Sequence, residues 1–156
     1  MRTFSLAAVV VAALALPALA TAKGPVSATI SGPGANRSLA VSGNGEMPGN
    51  PLGTLATAGG FFAQMFGQTP DPTFTARPKG TLGPRYKAVY VVPGPNNDES
   101  RVTQYIYPYA KTGALTFMQP GQVFWSTERA HGGWFRATPA LKRLLLRLGL
   151  PARAPS

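Results

Sequence analysis

Residues 83–110, GPRYKAVYVVPGPNNDESRVTQYIYPYA, constrain the fold of this chain more than any other stretch. Two arms rich in β-branched and aromatic residues flank PGPNNDES, a run of turn formers, which predicts a long β-hairpin. Side chains alternate along a strand, so pairing Val92 with Arg101 gathers Val89, Val91, Val102, Gln104 and Ile106 on one face. The reverse face then carries Tyr86, Tyr90, Arg101, Tyr105 and Tyr107, with Arg85, Lys87 and Lys111 nearby. A slip of one residue would mix the two sets, which favours this register. The expectation is a ribbon that is apolar on one side and phenolic with positive charge on the other.

The flanking segments add shorter elements. Residues 26–30 and 38–41 read as strands separated by Gly32-Pro33-Gly34. Asn50 followed by Pro51 is a helix entry, an N-cap amide with proline at the first helical position. Leu52, Leu55, Gly59, Phe62 and Phe66 recur at spacings of three and four, giving one apolar stripe along a helix that stops at Gly67. Gly53, Gly59 and Gly60 each weaken such a helix by about 1 kcal/mol relative to alanine, so it depends on tertiary packing. Residues 68–80, with Pro70, Pro72 and Pro78, read as an ordered surface crossing. Residues 114–118 and 123–127 predict a second hairpin around Gln119-Pro120-Gly121-Gln122, where proline then glycine is the type II turn signal. Trp134 and Phe135 close an edge of the core. The last helix begins at Thr138 and Pro139, buries Leu141, Leu144, Leu145 and Leu148, and exits at Gly149 and Pro151. These elements predict a single α+β domain: an antiparallel sheet of about five strands built on the central hairpin, with two packed helices.

Residues 1–22 have the layout of a secretory leader: Arg2, an apolar run from Leu6 to Leu16, Pro17, then Ala20-Thr21-Ala22. A bilayer span needs roughly 20 apolar residues, about twice this run, so cleavage near Ala22 is favoured over an anchor. What remains is 134 residues (156 less 22), enough for one domain to bury a core. The chain has no cysteine, which excludes thiolate metal sites, thiol nucleophiles and lipid attachment at the cleavage site. The expected location is secreted or associated with the cell envelope. The whole chain carries a formal charge of +10. That sign favours anionic partners: envelope polymers, lipid head groups or nucleic acid, the last disfavoured for an exported protein. The basic residues are nonetheless spread along the chain, and only Lys142, Arg143 and Arg147 cluster.

Candidate chemistry is sparse. One histidine and scattered acids leave too few ligands for a metal, and no cofactor is expected. Ser126, Glu128 and His131 lie within six residues, with Gly132-Gly133 as a source of oxyanion-stabilising amides. Ser126 lacks a nucleophile elbow, and three triad members rarely converge from one short loop. Glu46 and Glu128 would serve a two-carboxylate hydrolase only if the fold brought them together, and no local pattern does so. The tyrosine face is the better candidate. Tyr86, Tyr90, Tyr105 and Tyr107 with Lys87 and Arg101 combine flat rings and cations in the manner of surfaces that bind sugars or single strands of nucleic acid. Packing of these tyrosines in the core, with hydroxyls reaching the rim, is nonetheless favoured over a ligand platform. The basic C-terminal helix also suits peripheral contact with an anionic membrane, although packing on its own sheet is favoured.

The motifs ISGPG (30–34), LGPRY (82–86), YPYA (107–110), PGQ (120–122) and GGW (132–134) occur in that order. In that order they resemble a group of small exported actinobacterial proteins without an assigned activity. The resemblance implies an envelope or secreted setting and supplies no catalytic residues. Three functions follow as expectations. The first is non-catalytic binding of an anionic envelope polymer or another exported protein. The second is a small secreted hydrolase using Ser126 and His131. The third is a purely structural partner domain, which would expose an apolar patch.

Overall fold

The computed structural model describes residues 23–156, so the leader expected over residues 1–22 lies outside the described residues. Strands β1 (Ser27–Ser31) and β2 (Leu39–Ser42) come first, followed by helices α1 (Pro51–Ala58) and α2 (Phe61–Phe66). Strands β3 (Tyr86–Pro93) and β4 (Glu99–Tyr107) form the long hairpin. Strands β5 (Leu115–Met118), β6 (Val123–Phe124), β7 (Glu128–Arg129) and β8 (Gly133–Arg136) lead to helix α3 (Pro139–Leu148). The fold is α+β: a six-stranded antiparallel sheet ordered β2-β1-β3-β4-β5-β8, with β6 and β7 as a separate small ribbon.

The helices cover one face of the sheet. Leu52, Leu55 and Phe61 meet Ile30, Tyr86, Tyr90, Val102 and Ile106 there, and Leu141, Leu144 and Leu145 of α3 complete this main core. α1 starts as its sequence predicts, since Asn50 Oδ1 accepts the Gly53 N–H at 2.9 Å with Pro51 beside it. α3 stops at Gly149, whose φ of 113° lets the Leu150 N–H turn back to the Leu145 carbonyl at 3.0 Å. Residues 68–84 run around the β8 edge, where Phe74 and Trp134 exchange backbone hydrogen bonds of 3.0 and 2.8 Å. Leu82 then joins Ala110, Leu115 and Trp134 in a second, smaller core on the other side of the sheet.

Three sequence expectations are corrected. The hairpin register is displaced by one residue: Val91, not Val92, pairs with Arg101, and Tyr86 pairs with Ile106. The connection is Gly94 to Asp98, closed by the Gly94 N–H on the Asp98 carbonyl, with Asn96 and Asn97 left-handed at φ 63° and 60°. The displacement moves all of β3 to the opposite face relative to β4. Tyr86, Ala88, Tyr90 and Val92 therefore point inward with Val102, Gln104 and Ile106, while Val89 and Val91 point outward. Large rings inside are favourable because each phenol finds a partner, Tyr86 on the Pro33 carbonyl at 2.7 Å and Tyr90 on Gln104.

The helix expected from Asn50 to Gly67 is broken at Gly59-Gly60, where Gly60 is left-handed at φ 72°. A side chain at Gly60 would collide with the ring of Phe135, so the break lies directly against β8. The break rotates the stripe: Phe61, Ala63, Gln64 and Met65 are buried, whereas Phe62 is half-buried and Phe66 is exposed. Finally, β5 pairs with β8 and not with β6. The turn at Pro120-Gly121 is present, with Gly121 at φ 80°, but it sends the chain away from β5. Gln122 then closes on β4 by its side chain, Oε1 accepting the Thr103 N–H at 2.9 Å and Nε2 donating to the Thr103 carbonyl at 2.8 Å.

A buried polar chain joins the broken helix to the sheet. The Tyr90 hydroxyl donates to Gln104 Oε1 at 2.9 Å, and Gln104 Nε2 donates to Gln64 Oε1 at 2.6 Å and to the Gly59 carbonyl at 2.9 Å. Gln64 Nε2 donates to the Gly133 carbonyl at 2.8 Å, and Thr116 Oγ1 donates to the Gly59 carbonyl at 2.7 Å. Gln64, Gln104 and Thr116 are fully buried, and no buried side-chain polar atom among the described residues lacks a partner. Replacing Gln104 by Leu strands the Tyr90 hydroxyl and Gln64 Oε1, and is expected to lower unfolding free energy by about 2–4 kcal/mol. Tyr90→Phe removes one donor and costs about 1 kcal/mol. Urea denaturation measures both; a Gln104→Leu loss under roughly 1 kcal/mol would show that the network does not hold helix to sheet.

Candidate functional site

The face of the sheet turned away from the helices is built by alternation. Thr29 of β1, Lys87, Val89 and Val91 of β3, Arg101, Thr103, Tyr105 and Tyr107 of β4, and Phe117 of β5 all lie on it. Lys87 sits directly across from Tyr105, and Tyr105 across from Phe117. Lys87 and Arg101 are exposed, while Val89, Val91, Thr103 and Tyr105 are half-buried. Arg85, just before β3, holds its guanidinium carbon 4.6 Å from the centre of the Tyr105 ring. That contact fixes the ring and brings a third positive charge beside it. Arg136 at the far edge lies 5.5 Å from the Phe74 ring. Glu99 at the end of β4 is the one carboxylate among the strand residues of this face.

Four of the six residues singled out from sequence therefore share one face: Lys87, Arg101, Tyr105 and Tyr107. Tyr107 stands at its closed end, its ring 5.5 Å from Trp134 in the small core. Tyr86 and Tyr90 do not belong to it; both are 0% exposed in the main core. Burial pushes the Tyr86 hydroxyl up to about 12 and raises that of Tyr90 further, so both stay neutral donors. Val89 and Val91, which with Thr103 form the floor between the cations, were missed because the expected register turned β3 over. The alternation within β4 alone was enough to group Arg101, Tyr105 and Tyr107.

Comparison with family models, with curated proteins and with solved structures finds no match to this chain. The face must be read from its own chemistry.

The loop holding Ser126, Glu128 and His131 does not assemble those side chains into a relay. Ser126 and Trp125 are both left-handed, at φ 65° and 47°. The turn is held by the Trp125 N–H on Ser100 Oγ at 2.8 Å and the indole N–H on the Pro93 carbonyl at 2.9 Å. Glu128 is exposed in β7. His131 instead meets residues some sixty positions earlier, Nε2 lying 2.8 Å from Asp71 Oδ2 and 3.1 Å from Thr73 Oγ1. A triad needs its acid and its nucleophile on different ring nitrogens, and here both partners share one. The Gly132 N–H is already donated to the Gln64 carbonyl at 2.7 Å, which removes it as an oxyanion donor. Asp71 and Thr73 had a local signal, an aspartate two residues before a threonine in a proline-rich turn, but their contact with His131 had none. Among the described residues no three of His, Asp and Glu gather as a metal cluster, and no helix is long and apolar enough to cross a membrane.

Two outcomes are expected here. The Thr73 N–H and hydroxyl, each 2.8 Å from Asp71 Oδ1, stabilise the carboxylate and hold it below its ordinary 3.8, with His131 adding to the effect. Because the folded value is depressed, this contribution is present above the ordinary carboxylate range and is lost as pH falls through the lower folded value. The Thr73 amide shift in an acid titration by NMR should move with a midpoint below 3.8 and stay flat in Asp71→Asn; a midpoint at or above 3.8 contradicts the assignment. Ser126→Gly relieves a left-handed residue and should raise unfolding free energy by about 0.5–1 kcal/mol in thermal or urea melts, where a loss would show that the hydroxyl is needed structurally.

Proposed function

We propose that this chain is an exported, non-catalytic binding protein whose open sheet face holds an anionic polymer of the cell envelope. One observation carries the reading: Arg85 lies against the half-exposed ring of Tyr105, Lys87 stands across from it and Arg101 lies further along β4, on a face that no helix among the described residues covers and where Glu99 is the one carboxylate of the strand residues. The +10 charge of the whole chain supports it by favouring anionic chains nearby, and the leader pattern of residues 1–22 supports export to where such polymers occur. The geometry around His131 lends no support to the hydrolytic alternative.

The test is titration of the protein, expressed with its own leader, against poly-L-glutamate at rising ionic strength. Binding should weaken steeply with salt, because the cations lie at the surface and are screened. Lys87→Ala and Arg101→Ala should each weaken it about fivefold, on the order of 1 kcal/mol per cation. Arg147→Ala, on the solvent side of α3, should change it less than about twofold. Salt-insensitive binding, or equal loss in all three variants, removes this face from the proposal.

A further inference from the structure

The layout of the open face points to one class of anionic polymer. Its cations are spaced, not massed. Arg101 and Tyr105 are four residues apart on β4, roughly 13 Å at the rise of an extended strand. Lys87 stands across from Tyr105, and the floor between the two ends is Val89, Val91 and the hydroxyl-bearing Thr103. Phe117 and Tyr107 are drawn toward Trp134, at centroid distances of 4.8 and 5.5 Å, so among the described strand residues of this face Tyr105 is the ring left open, beside Lys87 and Arg85 at one end of the strip. A strand of nucleic acid binds best to several stacking rings and a dense row of cations, neither of which is present. An acidic polypeptide would meet the cations but has no flat apolar face to set against a ring. A sugar has such a face in its axial C–H groups, together with hydroxyls for Thr103 and, in an acidic glycan, intermittent negative charge.

We propose that the ligand of this face is an acidic polysaccharide, one sugar ring stacked on Tyr105 and its acid groups met by Lys87 and Arg101. The inference rests on the polyanion reading above and adds the demand for a sugar ring. Arg85 is a positioning residue in it, since its guanidinium holds the Tyr105 ring and meets the sugar through that ring.

The deciding experiment compares polygalacturonate, poly-L-glutamate of matched length and charge, and a single-stranded oligonucleotide, using calorimetry on the protein expressed with its own leader. Polygalacturonate is expected to bind about tenfold more tightly than polyglutamate, the scale of one stacking contact. Tyr105→Ala should abolish that advantage while leaving polyglutamate binding within about twofold, and Tyr105→Phe, which keeps the ring, should preserve it. Equal binding of the two polyanions, with Tyr105→Ala indifferent, overturns the glycan inference and leaves the polyanion reading standing. Preference for the oligonucleotide overturns it in favour of nucleic acid. Binding of none of the three removes both.

Discussion

The contact on which the rest of this structure depends is the buried hydrogen-bonded chain from Tyr90 through Gln104 to Gln64 and Gly59. Gln104 donates with both hydrogens of its amide and accepts with its oxygen, so its place in β4 cannot shift without stranding buried partners. That fixes the hairpin register, because Tyr90 must stay beside Val102 to reach Gln104. It also fixes the helix break, because Gly59 ends α1 with a carbonyl that Gln104 and Thr116 both use. A polar core of this kind adds little net stability compared with apolar packing, but it strongly penalises every arrangement except one. The composition of the open face follows from it, since the register that turns the tyrosines inward turns Lys87 and two valines outward.

Two uneven cores share the one sheet. The larger lies beneath the helices and is sealed by the leucines of α3; the smaller is gathered by the crossing of residues 68–84 around Leu82 and Trp134. The crossing covers the β5 and β8 end of the outer face, and among the described residues the β1, β3 and β4 end is left uncovered. The open strip is thus a remnant of incomplete coverage, bounded on one side by aromatic packing.

Much of the fold was legible in local chemistry. Asn50-Pro51, Thr138-Pro139 and Gly149 placed both helical regions, and the turn run before Arg101 placed the hairpin. What escaped was whatever depended on distant partners. Whether Tyr90 or Val91 faces inward is decided by Gln104 on the other strand, and counting apolar residues favoured the valines. The rotated stripe after Gly60 answers to the ring of Phe135, seventy-five positions later. The pairing of β5 with β8 bypasses a genuine turn at Gly121. The site was read with the same mixture: Arg101, Tyr105 and Tyr107 by alternation within one strand, Lys87 by proximity, Tyr86 and Tyr90 misplaced by a single slip. His131 and Asp71 are joined by folding alone.

The side chain of Gln122 imitates a peptide unit, offering one acceptor and one donor to the backbone of Thr103 where β5 has already ended. Half of a central strand would otherwise show a bare ladder rung to its surroundings. An unoccupied rung would offer a pairing edge to the strand of another chain. One glutamine amide closes that seam from within the chain.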